Sequence, residues 1–234
     1  MKIGCCGFPK GMKEYFKNFD VVEVQRTFYE PPSIEILKEW RAQAPREFEF
    51  TVKAWQVITH PATSPTYRKS KYKPKECGFF KPCKEIFEAW EKMTEVCSAL
   101  NVNIVVFQCP ASFKPAQKNI KNIYEFFNSI KSKSLTFIWE PRGEEWRGNV
   151  IKKICTELNL IHCVDPFKSS QQSGKFSYFR LHGIGGYRYR YSKEELEKLL
   201  SFCTPSSYVM FNNTYMFENA IEFKELVRHG RKRQ

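Results

Sequence analysis

The sequence predicts a single closed (β/α)8 barrel, and three observations carry that expectation. Eight short apolar runs each end abruptly in polar or reactive residues. Amphipathic stretches lie between them, and 234 residues is about the length that eight strand–helix units need. Strict alternation of this kind favours a parallel sheet with helices outside, with the reactive strand ends gathered at one mouth.

The runs follow one another in order. The first, 3–6, ends in Cys5 and Cys6. In the second, 21–25, Val22 and Val24 form the apolar face, so Glu23, Gln25 and Thr27 point inward. In the third, 48–53, Phe48, Phe50 and Val52 share the outer face, leaving Glu49, Thr51 and Lys53 to the lumen. Gln108 closes 103–108 on the face of Ile104 and Val106, and Glu140 closes 135–140, which is apolar on both faces. Asp165 ends 160–165. In 176–182, Phe179 and Leu181 pack on helices while Tyr178, Arg180 and His182 face inward, and 207–213 ends in Asn212 and Asn213. Helical patterning marks 33–43, 83–100, 115–132, 144–158, 192–203 and 216–229.

One domain accounts for 1–227, with a long loop at 55–81 and a basic tail at 228–234. The content, 42% hydrophobic and 16% aromatic, supports a large core. No run approaches the roughly 20 apolar residues that span a bilayer, and 1–11 lacks the apolar core of a secretory signal, so the expectation is a cytoplasmic protein without a membrane partner. Nine cysteines, an odd number spread through strands and helices, read as reduced thiols.

The net charge of +13 calls for a polyanionic partner or a solvated basic surface. Two segments concentrate it: 67–75, where Arg68, Lys69, Lys71, Lys73 and Lys75 alternate with Tyr67 and Tyr72, and the end of the chain from Arg228. Both read as exposed, with the tyrosines placed for stacking. The loop at 55–81 follows the third strand and would overhang the mouth as a lid.

Glu23, Lys53, Glu140, Asp165, Arg180 and His182 are therefore the candidate catalytic groups. Buried charges must pair or line a wet pocket, so a structural ion-pair network is the alternative to a site. Glu23 or Glu140 has the chemistry of a general base, His182 that of a proton carrier, and Arg180 or Lys53 that of an anchor for an anionic oxygen. Lys53 is also suited to imine formation if its amine is desolvated or set beside Arg180; a salt bridge to Glu23 is the plainer account. After the seventh run, Gly183, Gly185 and Gly186 with Arg188 and Arg190 form a candidate phosphate loop. Asn212 and Asn213 divide between capping a helix and bonding a ligand.

A divalent metal on His60, Glu140, Asp165 and His182 is conceivable but not favoured, because no HxH or HExxH spacing occurs. Cys77 and Cys83, with Cys5 and Cys6, miss the CxxC spacing of zinc and iron–sulfur sites. Cys5 and Cys6 are nucleophiles only if nearby cations favour the thiolate; otherwise they are packing residues.

The blocks at 22–31 (VEVQRTFYEP), 50–60 (FTVKAWQVITH), 106–113 (VFQCPASF), 139–146 (WEPRGEEW), 179–183 (FRLHG) and 209–214 (VMFNNT), in this order, resemble the YecE-like family, also called domain of unknown function 72. The resemblance spans nearly the whole chain. It implies a TIM-type barrel with these blocks at its mouth and no assigned reaction. Residue by residue, it adds Thr27, Phe28, Tyr29, Thr59, His60, Gln108, Pro110, Arg142, Gly183, Asn212 and Asn213 to the candidate set. Cys6 stands where members often carry a small hydroxyl residue.

These readings converge on a monomeric or weakly associating barrel acting on a phosphate-bearing small molecule or nucleic acid. The leading expectation is a hydrolase with Glu23 or Glu140 as base and Arg180 as electrostatic stabiliser. The alternatives are a sugar-type isomerase or lyase in which Glu23, Lys53 and His182 shuttle protons, and a non-catalytic nucleic-acid-binding protein.

Overall fold

The computed structural model describes residues 1–231. Eight parallel strands close in sequence order into one barrel: β1 (Lys2–Cys6), β2 (Val21–Val24), β3 (Glu49–Lys53), β4 (Ile104–Gln108), β5 (Thr136–Glu140), β6 (Ile161–Val164), β7 (Tyr178–Leu181) and β8 (Tyr208–Phe211). Seven of the eight predicted runs contain their strand, and the eighth, 3–6, falls one residue short because β1 begins at Lys2. The helices outside are α1 (Met12–Asn18), α2 (Arg26–Tyr29), α3 (Ile34–Gln43), α4 (Gln56–Thr59), α5 (Lys84–Leu100), α6 (Gln117–Ser129), α7 (Gly148–Leu158), α8 (Lys193–Ser201) and α9 (Met216–Arg231). Local chemistry sets several boundaries. Ser192 and Glu195 form a reciprocal capping box at the start of α8, and left-handed Asn101 and Asn159 end α5 and α7.

Strand alternation divides the interior in two. Facing the lumen, Val21, Ile104, Val106, Ile138, Ile161, Cys163 and Met210 make an apolar plug with Cys6 and Tyr178. Facing outward, a larger core joins strands to helices, including aromatic packing of Phe107 against Trp90, Phe126, Phe127 and Phe137. Such ring pairs add roughly 0.5–1.5 kcal/mol each beyond area burial. The plug closes the lumen below, so polar side chains can meet only in the layers above it.

Three expectations change. β6 and β7 are joined by an irregular segment without a helix. The 55–81 stretch is partly ordered: α4 is wholly buried, a 3-10 turn covers Pro65–Lys69, and the chain folds back through Gly78 N–H to Val57 O at 2.8 Å and Phe80 N–H to Ile58 O at 3.0 Å. The inner part of this loop is packed on the barrel and does not overhang as a free lid. Tyr67 is buried and donates to His60 O, so it is not available to stack on a base. Lastly, α9 continues through Arg231, which places Arg228 in a helix; 232–234 lie outside the described residues.

Gly78 has φ +77°, and a Cβ there would lie 2.4 Å from the His60 carbonyl carbon. Gly78→Ala is therefore expected to lower stability by more than about 1 kcal/mol, from left-handed strain and backbone collision together. Chemical denaturation checks this; an unchanged midpoint would show that the fold-back does not hold the loop.

Candidate functional site

Arg180 stands at the centre of the barrel with no exposed surface. It projects from β7, two residues beyond Tyr178 on the same lumen face. Its Nε donates to Glu23 Oε2 at 3.1 Å and its Nη2 meets Glu23 Oε1 at 2.9 Å, while Nη1 donates to Glu140 Oε2. Gln108 Oε1 and Gln25 Oε1 accept longer bonds from the same guanidinium. Tyr178 adds a donor to Glu23 at 2.9 Å, and Thr51 bonds Tyr178 at 3.0 Å. The pairing arises from register: Glu23 is level with Thr51 across β2 and β3, and Gln108 with Glu140 across β4 and β5.

These contacts redistribute the expected roles. Glu23 is fully buried with both oxygens bonded to Arg180, so neither serves as a general base for a ligand. Arg180 meets carboxylates on both sides and is a strut. Its pKa is lifted because, although burial alone would lower it, Glu140 and Glu23 outweigh that effect. For Glu140, burial pushes the carboxyl up, but Arg180, Arg142 and His182 together hold it well below the usual carboxylate range. A carboxylate so stabilised is a weak base and a strong orienter.

The mouth above this strut is built by Glu140, Arg142, His182 and Asn212. Arg142 gives Nε and Nη2 to Glu140 Oε1 at 3.0 and 2.7 Å. Its Nη2 also lies 2.7 Å from His182 Nε2, which is 3.2 Å from Glu140 Oε1. Asn212 meets His182 Nδ1 at 3.2 Å. Arg142 has donors only and calls for an accepting Nε2, whereas Glu140 Oε1 at the same nitrogen and the Asn212 amide nitrogen at Nδ1 both favour a proton on Nε2, so Arg142 and Glu140 compete for this one ring atom. Burial lowers the His182 pKa despite the Glu140 hydrogen bond, which agrees with a neutral ring. His182 side-chain exposure is 18% and that of Arg142 is 36%, against 7% for Glu140. The two reachable groups are thus a neutral imidazole and a guanidinium.

Lys53 enters from the end of β3. Its ammonium nitrogen lies 3.6 Å from the Phe28 ring centroid, and no hydrogen bond or ion pair reaches it from the described residues. The expected salt bridge to Glu23 does not form, because Arg180 holds that carboxylate. Burial, then Arg180, pushes the amine down to about 7, although Glu140 and Glu23 act the other way. Phe28 in turn packs edge-on against His60, with ring centroids 4.9 Å apart.

Other predicted residues hold the frame. Both Asp165 oxygens accept backbone N–H groups, of Phe167 at 3.1 Å and His182 at 3.2 Å, so Asp165 positions β7. Thr27 belongs to α2, and its hydroxyl ties that helix to Lys53 O at 2.7 Å. His60 is buried, bonded to Thr59 at 2.8 Å, and pushed down to about 3 by burial and Lys53. Tyr29 is exposed, but its carbonyl accepts from Trp55 and Gln56. Asn213 is buried and donates to Tyr189 O at 2.7 Å, so it supports the loop after β7 while Asn212 serves the mouth.

The glycine loop is a turn bonded to itself. Gly183 N–H donates to the Tyr191 hydroxyl and Gly186 N–H to Gly183 O. Arg190 pairs with Glu222 and Arg188 is exposed. With those two N–H groups engaged, the expected phosphate cradle is not assembled here. The metal set does not converge either: Asp165 is engaged by backbone, His60 by Thr59, and Glu140 by two guanidinium groups. Among the described residues, no three His, Cys, Asp or Glu are grouped to hold a metal ion. Burial raises both Cys5 and Cys6 far from the thiolate form, and Cys77 and Cys83 bond to separate carbonyls, His60 O and Glu76 O.

A cavity of about 520 Å³ adjoins the mouth, lined by Glu140, Arg142, His162, Asp165, Lys168 and His182 among others. It runs along the flank where β6 and β7 lack a connecting helix. Tyr178 on Glu23 and Lys168 on the cavity wall were absent from the predicted site, whereas Phe28, which lies under Lys53, was in the set the family resemblance implies. Tyr178 was within reach of the strand-alternation argument, sharing a face with Arg180; Lys168 lies in an irregular segment that carries no periodic signal.

A family model described as protein of unknown function DUF72 matches residues 7–234. Among solved structures, a DUF72 family protein from Enterococcus faecalis V583 is similar with a TM-score of 0.74 at 21% identity, covering 97% of each chain. Another from Thermotoga maritima MSB8 has a TM-score of 0.71 at 22% identity, covering 97% of this chain and 98% of that one. D-psicose 3-epimerase from Clostridium cellulolyticum H10, with D-tagatose, gives 0.60 at 14% identity, covering 98% and 99%. These identities speak to the fold alone. No curated protein matches the chain. Among the described residues, no helix is long and apolar enough to cross a membrane.

Proposed function

The chain belongs to the DUF72 family of proteins of unknown function, and from that premise we propose that it is an enzyme moving protons on a small, anionic, sugar-like compound, as an isomerase or lyase. The observation that carries this reading is the neutral His182, oriented by Asn212 and Glu140 and placed beside Arg142 at the wall of a 520 Å³ cavity. His182 takes a proton at Nε2, and the imidazolium so formed is stabilised by the Glu140 carboxylate. Arg142, more exposed than either, holds a phosphate or carboxylate of the substrate. A cavity of this volume suits a small molecule, and a barrel of the same fold in D-psicose 3-epimerase handles a sugar.

Hydrolysis of a phosphodiester has weaker support. Its two candidate bases, Glu23 and Glu140, are both held by Arg180, and Arg180 is sealed from any substrate. The excess charge still favours anionic ligands, through Arg142, Lys168 and the exposed Arg68, Lys71, Lys73 and Lys75.

The test is deuterium exchange. The protein is incubated in D2O with a panel of aldose and ketose phosphates, and incorporation at the carbon beside the carbonyl is followed by NMR. The expected result is wash-in with at least one member, reduced on the order of 10²-fold or more in His182→Gln and with a raised KM in Arg142→Gln. Exchange that persists unchanged in His182→Gln would sink the reading, as would nucleic-acid cleavage with no response to any small molecule.

A further inference from the structure

We propose that Lys53 is an imine-forming amine, and that the substrate class is a small carbonyl compound, an aldehyde or ketone, captured covalently at the mouth of the barrel. This rests on the proton-transfer reading of the same site and adds the group that makes the transferred proton acidic.

The geometry sets Lys53 apart from the other buried charged groups near the mouth. Arg180, Glu23 and Glu140 bond one another, and Arg142 adds donors to Glu140 while keeping an exposed face. Lys53 is 7% exposed and has only the face of Phe28 as a partner, 3.6 Å from its ring centroid. A buried amine without a carboxylate costs stability in the charged form, and a fold that needed a structural cation here could have given it Glu23, its neighbour on β2. Arg180 takes that carboxylate instead and adds a like charge nearby. Lys53 is thereby kept as a nucleophile, at the carboxyl end of a barrel strand where reacting groups collect. The amine pushed down to about 7 agrees with this placement.

The step balances without a further reactant. The neutral Nζ lone pair attacks the carbonyl carbon, the C=O electron pair takes a proton from solvent, and the nitrogen, now positively charged, releases one, which gives a neutral carbinolamine. The nitrogen pair then expels the hydroxyl, protonated to water, leaving C=N–H⁺ on Lys53. Amine, carbonyl compound and one proton become iminium and one water. The iminium withdraws electrons from the adjacent C–H, which is the proton assigned to His182. Hydrolysis reverses the link and frees the amine.

The experiment uses the intact protein with glycolaldehyde or dihydroxyacetone phosphate and sodium cyanoborohydride near pH 7, followed by intact mass and peptide mapping. The expected result is one reduced adduct per chain, at Lys53, formed at least ten times faster than at any other lysine. Adduct formation should rise through about pH 7, whereas ordinary lysines rise near their usual value of about 10.4. Lys53→Arg keeps a cation but cannot form an imine, and should lose the adduct; circular dichroism identifies a misfolded variant, and Lys53→Gln is the second choice.

Labelling spread over surface lysines with Lys53 untouched overturns the proposal. Deuterium exchange continuing in folded Lys53→Arg also overturns it and leaves the His182 reading standing. Selective Lys53 labelling in a protein that exchanges no deuterium supports the amine and removes the proton-transfer reading.

Discussion

Arg180→Met is expected to lose about 3–5 kcal/mol of stability, because it leaves two carboxylates buried with no cation between them. Glu23 is fully buried and Glu140 nearly so, and each directs oxygen at the guanidinium. Tyr178 and Gln25 could still bond Glu23, and Arg142 and His182 could still bond Glu140, so the larger share of the loss falls on the Glu23 side. Urea unfolding gives the number. Adding Glu23→Gln to Arg180→Met removes the worse of the stranded charges and should recover part of the loss, since deleting a whole buried pair is much less harmful than deleting half of it. A single variant as stable as the parent would mean that water enters the lumen and that the strut is not holding the layer together. The same variant should raise the Lys53 pKa, because Arg180 is the largest neighbouring charge acting to lower it.

Stability should rise with pH across the Lys53 titration, by roughly 3–4 kcal/mol between about pH 6.5 and about pH 10 relative to Lys53→Met. In the unfolded chain the Lys53 proton stays on to about pH 10.4, whereas the folded protein releases it near 7. Between those values the unfolded state binds more protons, so raising the pH favours folding. Below about 7 both states carry the proton and the contribution is flat. Lys53→Met removes the group and flattens this component, and it should be the more stable protein at the acidic end. Parallel curves for the two proteins would show that the amine keeps its ordinary affinity for protons, which would also weaken its case as a nucleophile. Comparing variants at each pH cancels the other titrating groups, His182 and Glu140 among them.

The barrel was legible because its strands obey a two-residue period: Val22 and Val24 outside set Glu23 inside, and Phe179 and Leu181 outside set Arg180 inside. The site was legible as a list of groups and not as a set of roles. Nothing in one strand reveals that Arg180 will lie between carboxylates from β2 and β5, since that depends on closure and register across the whole barrel. Thr27 was assigned inward by extending the strand period past Val24, where the chain turns into α2. The helix α1 was missed because seven residues with one fully buried side chain, Tyr15, give too short a pattern to recognise. Glycines at Gly183 and Gly186 promised free N–H groups, but the chain's own Tyr191 and Gly183 carbonyl take them first.

The absent helix between β6 and β7 has a consequence for how such a barrel diversifies. Elsewhere around the ring a change at the mouth must be reconciled with a helix seated on the strands. Along 165–177 there is no such constraint, yet the segment contributes Asp165, Lys168, Ser169, Ser170 and Gln172 to the cavity wall. Provided Asp165 keeps its hold on the His182 N–H, the remainder is an exchangeable panel. Replacing it would alter which molecules the cavity admits and leave the Arg180 strut, the His182 imidazole and the Lys53 amine where they stand.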